Sequence, residues 1–279
     1  MTVGFEEAER ATVLAPIRAL LAEHAGRRDG RPFENPVAEC LVFYSPEADV
    51  WSGGLHRLEV EEVGELLTRL HVQWDVATGG SPLRPGSVLV LPQAIGMTPV
   101  EATAVTRFLE AGGKVMALGE ARAAGSGGRM LPPFLPEAKV GRSKATHAGK
   151  GLLVALPPLV PAPSGGAGAS APSVELVERG LASLTGSARR AVQVVSPAPL
   201  TVAAWRPHRR LDVHVSSLAD SPVRGATLVI STEHSGSAKR ARFRGSGGID
   251  EKVALVPSAG EVAAVLPEFL GYGVLSLVP

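Results

Sequence analysis

Cys40-Leu-Val-Phe-Tyr44, Ser87-Val-Leu-Val-Leu91, Lys114-Val-Met-Ala-Leu118 and Gly151-Leu-Leu-Val-Ala-Leu156 are the stretches whose reading decides the fold. Each is a short apolar run closed by a breaker: Ser45-Pro46, Pro92, Gly119 and Pro157. Runs this short, without polar alternation, are the pattern of strands covered on both faces. Gln73 to Ala77 reads as one more strand, and Gly79-Gly80-Ser81-Pro82 as the turn after it.

The segments between these runs read as helices. From Leu55 to His71, Val60, Val63, Leu66, Leu67 and Leu70 form an apolar stripe, with Glu59, Glu61, Glu62 and Glu65 on the wet face. Thr98-Pro99-Val100-Glu101 opens the next helix. Thr98 caps, Pro99 takes the first helical position and Glu101 completes a capping box. Phe108 and Leu109 face inward, and Gly112-Gly113 stops the helix. Ser173 is placed to cap a last helix with Val174, Val177, Leu181 and Leu184 on its inner side. Strands alternating with helices make an α/β domain, a flavodoxin-like parallel sheet with helices on both faces. Loops are expected through Trp51, Gly53 and Gly54, over Gly119 to Gly128, and at His147 to Lys150.

After about residue 190 the texture changes. Leu211, Val213 and Val215 alternate with Asp212, His214 and Ser216, the period of a half-exposed strand. Ala226–Ser231, Ala241–Arg244, Lys252–Val256, Glu261–Leu266 and Gly273–Val278 are further strand candidates, with no helical pattern between them. The expectation is a small antiparallel β-sandwich. At the other end, Val13, Leu14, Ile17, Leu20, Leu21 and His24 give residues 5–25 an amphipathic helical pattern, interrupted at Pro16. The domains are therefore expected as a helical segment over 1–36, an α/β domain over 37–190 and a sandwich over 191–279.

A chain of 279 residues with 45% hydrophobic and 20% charged residues can bury a core in each of two domains. A net charge of +1 gives no reason to expect a nucleic-acid partner, and no apolar run is long enough to span a bilayer. The basic run Lys239 to Arg244 reads as a solvated strand. The single cysteine, Cys40, rules out an intramolecular disulfide. With no signal-peptide pattern at Met1, the reading is a cytoplasmic protein.

Four segments, taken in order, resemble a known family: Leu41-Val-Phe-Tyr-Ser-Pro-Glu47, Val88-Leu-Val-Leu-Pro-Gln93, Phe108-Leu-Glu-Ala-Gly-Gly-Lys-Val115 and His147-Ala-Gly-Lys-Gly151. The set is similar to the glutamine-amidotransferase-like domain that follows the barrel in bacterial β-galactosidases, where it is called the trimerisation domain. Leu211 to Leu218 and Gly271 to Leu277 are similar to the C-terminal sandwich of those enzymes. The resemblance implies an accessory region acting through protein contacts. The sugar-cleaving (β/α)₈ barrel needs about 250 residues, for which the chain has no room. True glutamine amidotransferases carry a nucleophilic Cys at a sharp turn after a central strand. The matching turn here, Leu118-Gly119-Glu120-Ala121-Arg122, has none.

The chemistry-bearing residues fit that expectation. Cys40 opens a buried strand, where a thiol without a cationic neighbour is inert. The seven histidines show no zinc spacing. Gly125 to Gly128 lacks the features of a phosphate loop. No catalytic residue, metal or cofactor is expected. Glu47, Trp51, Gln93 and Glu120 lie just past strand ends, where α/β folds place ligands, and are the binding candidates. The leading reading is a non-catalytic accessory or assembly protein that contacts itself or another protein. The alternative is a small-ligand binder, for instance of carbohydrate, or a hydrolase using those four residues. A further possibility is one piece of a longer glycoside-hydrolase-like polypeptide.

Overall fold

The computed structural model describes residues 37–83, 86–136, 144–159, 174–186, 190–207, 210–217, 219 and 221–279. They fall into two compact units, Val37–Gln193 and Val194–Pro279. The helix expected over 5–25, the cap at Ser173 and most of the Pro/Gly-rich stretch 157–172 lie outside the described residues.

The first unit runs β1 (Cys40–Phe43), α1 (Pro46–Trp51), α2 (Leu55–Arg69), β2 (Trp74–Ala77), β3 (Val88–Leu91), β4 (Ala94–Met97), α3 (Pro99–Glu110), β5 (Lys114–Leu118), β6 (Ala121–Ala124), β7 (Met130–Pro133), β8 (Thr146–Ala148), β9 (Gly151–Leu156) and α4 (Val174–Thr185). Its main sheet has the order β2-β1-β3-β5-β9-β8. Every neighbouring pair is parallel except β8 with β9. Successive residues of the four central strands, β1, β3, β5 and β9, serve opposite cores. Leu41, Phe43, Leu89 and Leu91 pack with Val105 and Leu109 of α3. Cys40, Val42, Val88 and Val90 pack with Val63 and Leu67 of α2 and Leu181 of α4. That double burial is why the strands read as unbroken apolar runs.

The stripe on α2 is rotated from the expected one. His56, Glu59, Val63, Gly64 and Leu67 are its buried positions, and Val60 and Leu66 are only half-buried. Glu59, expected on the wet face, is buried because its carboxylate receives the backbone N–H of Leu159. Gly64 gives its place to Trp74, whose ring lies 2.8 Å from where a Cβ would stand.

Three expected loops are ordered structure. The run through Trp51 is α1, capped by the Ser45 side chain, with Pro46 in the first turn. Residues 119–128 hold β6 and a short 3₁₀ turn at Ser126–Gly128, leading into the antiparallel strand β7. His147 lies in β8, hairpinned onto β9. β4 was also unforeseen. It leaves β3 after Pro92-Gln93 and pairs in parallel with β6, which leaves β5 after Gly119-Glu120. Two neighbouring strands thus bend at their C-terminal ends and pair again as a small second sheet, β4-β6-β7.

The remaining elements are β10 (Val192–Val195), β11 (Thr201–Trp205), β12 (Leu211–Ser216), β13 (Thr227–Ser231), α5 (Thr232–Ser235), β14 (Arg240–Gly245), β15 (Ile249–Val253), β16 (Leu255–Ser258), β17 (Glu261–Val265) and β18 (Tyr272–Val278). They form two sheets, β10-β13-β17-β16 and β11-β12-β18-β14-β15. The expected strand Lys252–Val256 is in fact two, because the chain changes sheet at Ala254. The one-turn helix α5 interrupts what was expected to be strands alone. Leu228, Ile230, Val213, Leu275, Phe243 and Phe269 are buried core residues of this unit. Phe243 and Phe269 stand 5.3 Å apart between ring centres.

Candidate functional site

In an open α/β sheet, ligands bind where neighbouring strands send their connections to opposite faces. Here β1 leads into α2, on one face, and β3 leads into α3, on the other. The candidate site is therefore the C-terminal ends of β1 and β3.

Those ends hold a polar cluster, and it is closed. His56 is fully buried and bridges both strands. Its Nδ1 lies 2.8 Å from the Gln93 carbonyl, and its Nε2 accepts the Ser45 backbone N–H at 3.0 Å. A carbonyl only accepts, so Nδ1 carries the proton and the ring is the neutral tautomer. Burial pushes the imidazole pKa below its usual value, which favours the same form. The Tyr44 ring stacks on it at 5.7 Å.

The Ser45 hydroxyl accepts the Ala48 N–H at 3.1 Å and donates to Glu101 Oε2 at 2.9 Å. The same carboxylate oxygen accepts the Thr98 N–H at 2.8 Å and the Thr98 hydroxyl at 3.0 Å. One buried oxygen thereby ties the start of α1 to the capping box of α3. A serine, a histidine and a glutamate meet here, but not as a nucleophile relay. The imidazole takes the serine's backbone N–H, and the hydroxyl sits directly on the carboxylate. A general base must reach the proton that it removes. All three side chains are buried, and β4 and β6 extend past the same strand ends.

The four sequence candidates come from three segments: α1, the bend between β3 and β4, and the bend between β5 and β6. Gln93 lends its carbonyl to His56, and its side chain packs on Gly119, where a Cβ would stand 3.2 Å away. Gly119 has φ of +80°, so the bend after β5 needs glycine. Glu120 is exposed at that bend and pairs with Arg122 Nε at 2.6 Å. Its carbonyl accepts the Ala94 N–H at 3.0 Å. Trp51 is 47% exposed and seated on Gly96, with Gly128 near its ring edge. Glu47 is exposed on the first turn of α1.

Sequence reasoning missed Ser45, His56 and Glu101 as a group. A signal for the first was present: Ser45-Pro46 has the same cap-then-proline form as Thr98-Pro99. Cys40 is buried, and desolvation raises its thiol pKa to about 12. Among the described residues no three His, Cys, Asp or Glu side chains are grouped to hold a metal. No described helix is long and apolar enough to cross a membrane.

No protein-family model matches the chain, and no curated protein matches it by sequence. Solved structures do match. α-L-fucosidase isoenzyme 2 from Paenibacillus thiaminolyticus aligns with 94% of this chain at 15% identity and a TM-score of 0.55. The β-galactosidase from Rahnella sp. R3 aligns with 96% at 13% identity and a TM-score of 0.52. A GH42 β-galactosidase from G. stearothermophilus aligns with 87% at 10% identity and a TM-score of 0.51. The chain spans 51%, 44% and 40% of those three proteins. At such identities the likeness is one of fold. An α/β unit followed by antiparallel sheets is thus an arrangement that also occurs within these larger proteins.

Proposed function

We propose that this chain is a non-catalytic assembly unit, related to the accessory region of β-galactosidase-like glycoside hydrolases, that acts by self-association or by docking onto another protein. One observation carries the reading. The crevice in which an α/β fold would bind substrate is filled by Ser45, His56 and Glu101, each hydrogen-bonded within the cluster. The strand order supports a flavodoxin-like, glutamine-amidotransferase-like frame. Numbered along the chain, the five parallel strands run 2-1-3-4-5. That the chain spans only 51% and 44% of the fucosidase and the β-galactosidase it resembles supports the accessory role.

The surface at the same end supports contact with a partner. Val50 is 82% exposed beside Trp51 on α1, and Val100 is exposed at the start of α3. The Ser45–Glu101 bond holds these two helix starts together. Light scattering on the purified chain tests the proposal, together with pull-down from a lysate of the source cells. A mass above that of the monomer, or a stoichiometric partner, is expected. A strict monomer with no partner overturns it, as does substrate turnover that disappears when Glu120 or Cys40 is replaced in a folded variant.

A further inference from the structure

The outer face of the sheet β10-β13-β17-β16 is apolar, where a sandwich face in water is ordinarily polar. Strand register fixes the side chains that share it. Thr227 lies opposite Val265, and Ser231 opposite Glu261. Between those rows, Ala263 has Val229 on one side and Val256 on the other. The alternate positions, Leu228, Ile230, Val262 and Ala264, are buried in the sandwich. Val256 is 58% exposed and Val265 60%, and Val195 on the neighbouring β10 is 62% exposed. Among the described residues of these rows Glu261 is the one ionisable side chain, and it stands in the last row beside Ser231 and Ser258.

The two edge strands joined at Ala254, β15 and β16, are guarded against strand addition. Pro257 removes an N–H from β16. Asp250, Glu251 and Lys252 put exposed charge on β15. Both are devices that keep a second chain from pairing along an edge. On the outer side of the second sheet, Arg242 and Arg244 both pair with Asp250. The face made by Val229, Ala263, Val256 and Val265 has neither protection. A partner is therefore expected on this face and not along an edge.

We propose, resting on the assembly reading above, that this face is a self-association surface on which a second copy of the chain packs sheet on sheet about a two-fold axis. Charge selects the occupant. A partner that brought an ionised side chain to the centre of the face would bury it with no counter-charge. A second copy brings none there, and its Glu261 stays half-exposed at the rim. The relief also suits a self-match. Val256 and Val265 are diagonal neighbours on adjacent strands, with the small Ala263 beside them as a hollow. In a two-fold contact the knobs of each copy meet the hollow of the other. Area sets the strength. Four strands of four or five residues, about 4.8 Å apart with a rise of about 3.4 Å per residue, present roughly 300 Å². A standard interface takes about 800 Å² from each partner. The dimer is therefore reversible and forms as concentration rises.

Sedimentation equilibrium of the full chain, from micromolar to millimolar concentration, tests the surface. The average mass of the native protein is expected to climb from that of the monomer toward twice that value. Val256→Glu and Val265→Glu each put a carboxylate on the face, which the two-fold turns toward its own copy. Each is expected to move the midpoint of association at least about tenfold higher in concentration. Both valines are exposed, so circular dichroism and the urea midpoint should match the native protein. Should one variant not fold, the other decides. A native chain that stays monomeric throughout overturns the proposal. So does self-association that either folded variant leaves unchanged, and that result keeps assembly standing through another surface. A monomer that captures a stoichiometric partner in the pull-down likewise removes this proposal alone.

Discussion

Glu59 on α2 receives the backbone N–H of Leu159 at 2.5 Å, across one hundred residues of chain. The carboxylate is buried, so the bond is made where water does not compete. Glu59→Leu keeps the volume and leaves that N–H without this acceptor. The expected cost is about 1–3 kcal/mol in urea unfolding. Glu59→Gln retains an acceptor oxygen and should lose less. Equal losses for the two variants would show that the bond contributes nothing beyond packing.

His56 makes stability depend on pH with a definite sign. Burial lowers its folded-state pKa below the unfolded value of 6.5. The unfolded chain therefore binds the proton first, and stability is full above pH 6.5 and declines as pH falls toward the folded pKa. Protonation also places a second N–H against the Ser45 N–H that Nε2 now accepts. His234 is shifted the same way by burial and adds to the slope. Glu39 acts in the opposite sense. Burial raises its pKa above 4.5, against the bonds from Gln73 and Ala191 and the charge of Arg190, so its ionised form costs stability at neutral pH and that cost is lifted as pH falls through its folded pKa toward 4.5. Melting temperature measured from neutral to mildly acid pH should fall in the native protein. His56→Gln should flatten that fall but leave the share due to His234. An unchanged slope would falsify the assignment.

The four central strands of the main sheet, β1, β3, β5 and β9, were legible because both faces are buried, which leaves no polar position to obscure the run, whereas the exposed edge strand β8 read as a loop. β4 and β6 were not legible either. Ala94-Ile-Gly-Met97 and Ala121-Arg-Ala-Ala124 are short and alanine-rich, and they exist because two neighbouring strands keep pairing beyond a bend. That is a long-range cause, absent from either segment alone. The site was half legible. Gln93 and Glu120 do lie at adjacent strand exits, joined by the Ala94 N–H to Glu120 carbonyl bond. The residues that fill the crevice, Ser45, His56 and Glu101, come from positions 45 to 101 and meet only once α1 and α3 have docked. In the sandwich, alternation exposed β12. β11 went unnoticed because Thr201-Val-Ala-Ala-Trp205 is apolar on successive positions.

Gly273 is held as glycine by its neighbour and not by its backbone angle. A Cβ there would stand 2.1 Å from the Phe243 ring, which fills the sandwich core against Phe269. Gly273→Ala must displace that ring. Overpacking of this kind costs about 1–3 kcal/mol. Denaturant midpoints should show the loss, and the double variant with Phe243→Leu should recover part of what the two changes cost separately. Simple additivity of the two would mean that the ring and the added methyl do not meet.

Cys40 should be silent in the folded protein and reactive only in the unfolded one. Its sulfur lies at the start of β1, packed with Val63 and Leu67 of α2. Burial, with the Glu39 carboxylate beside it, raises the thiol pKa to about 12, so almost no thiolate exists at neutral pH. Labelling by a disulfide reagent such as DTNB therefore requires opening of the sheet. The rate in native buffer should track the open population and rise with urea along the unfolding curve. Cys40→Ala removes a small buried group and should cost about 1–2 kcal/mol while leaving the oligomeric mass unchanged. Fast, urea-independent labelling of the native chain would place the thiol at the surface and return it to consideration as a reactive group.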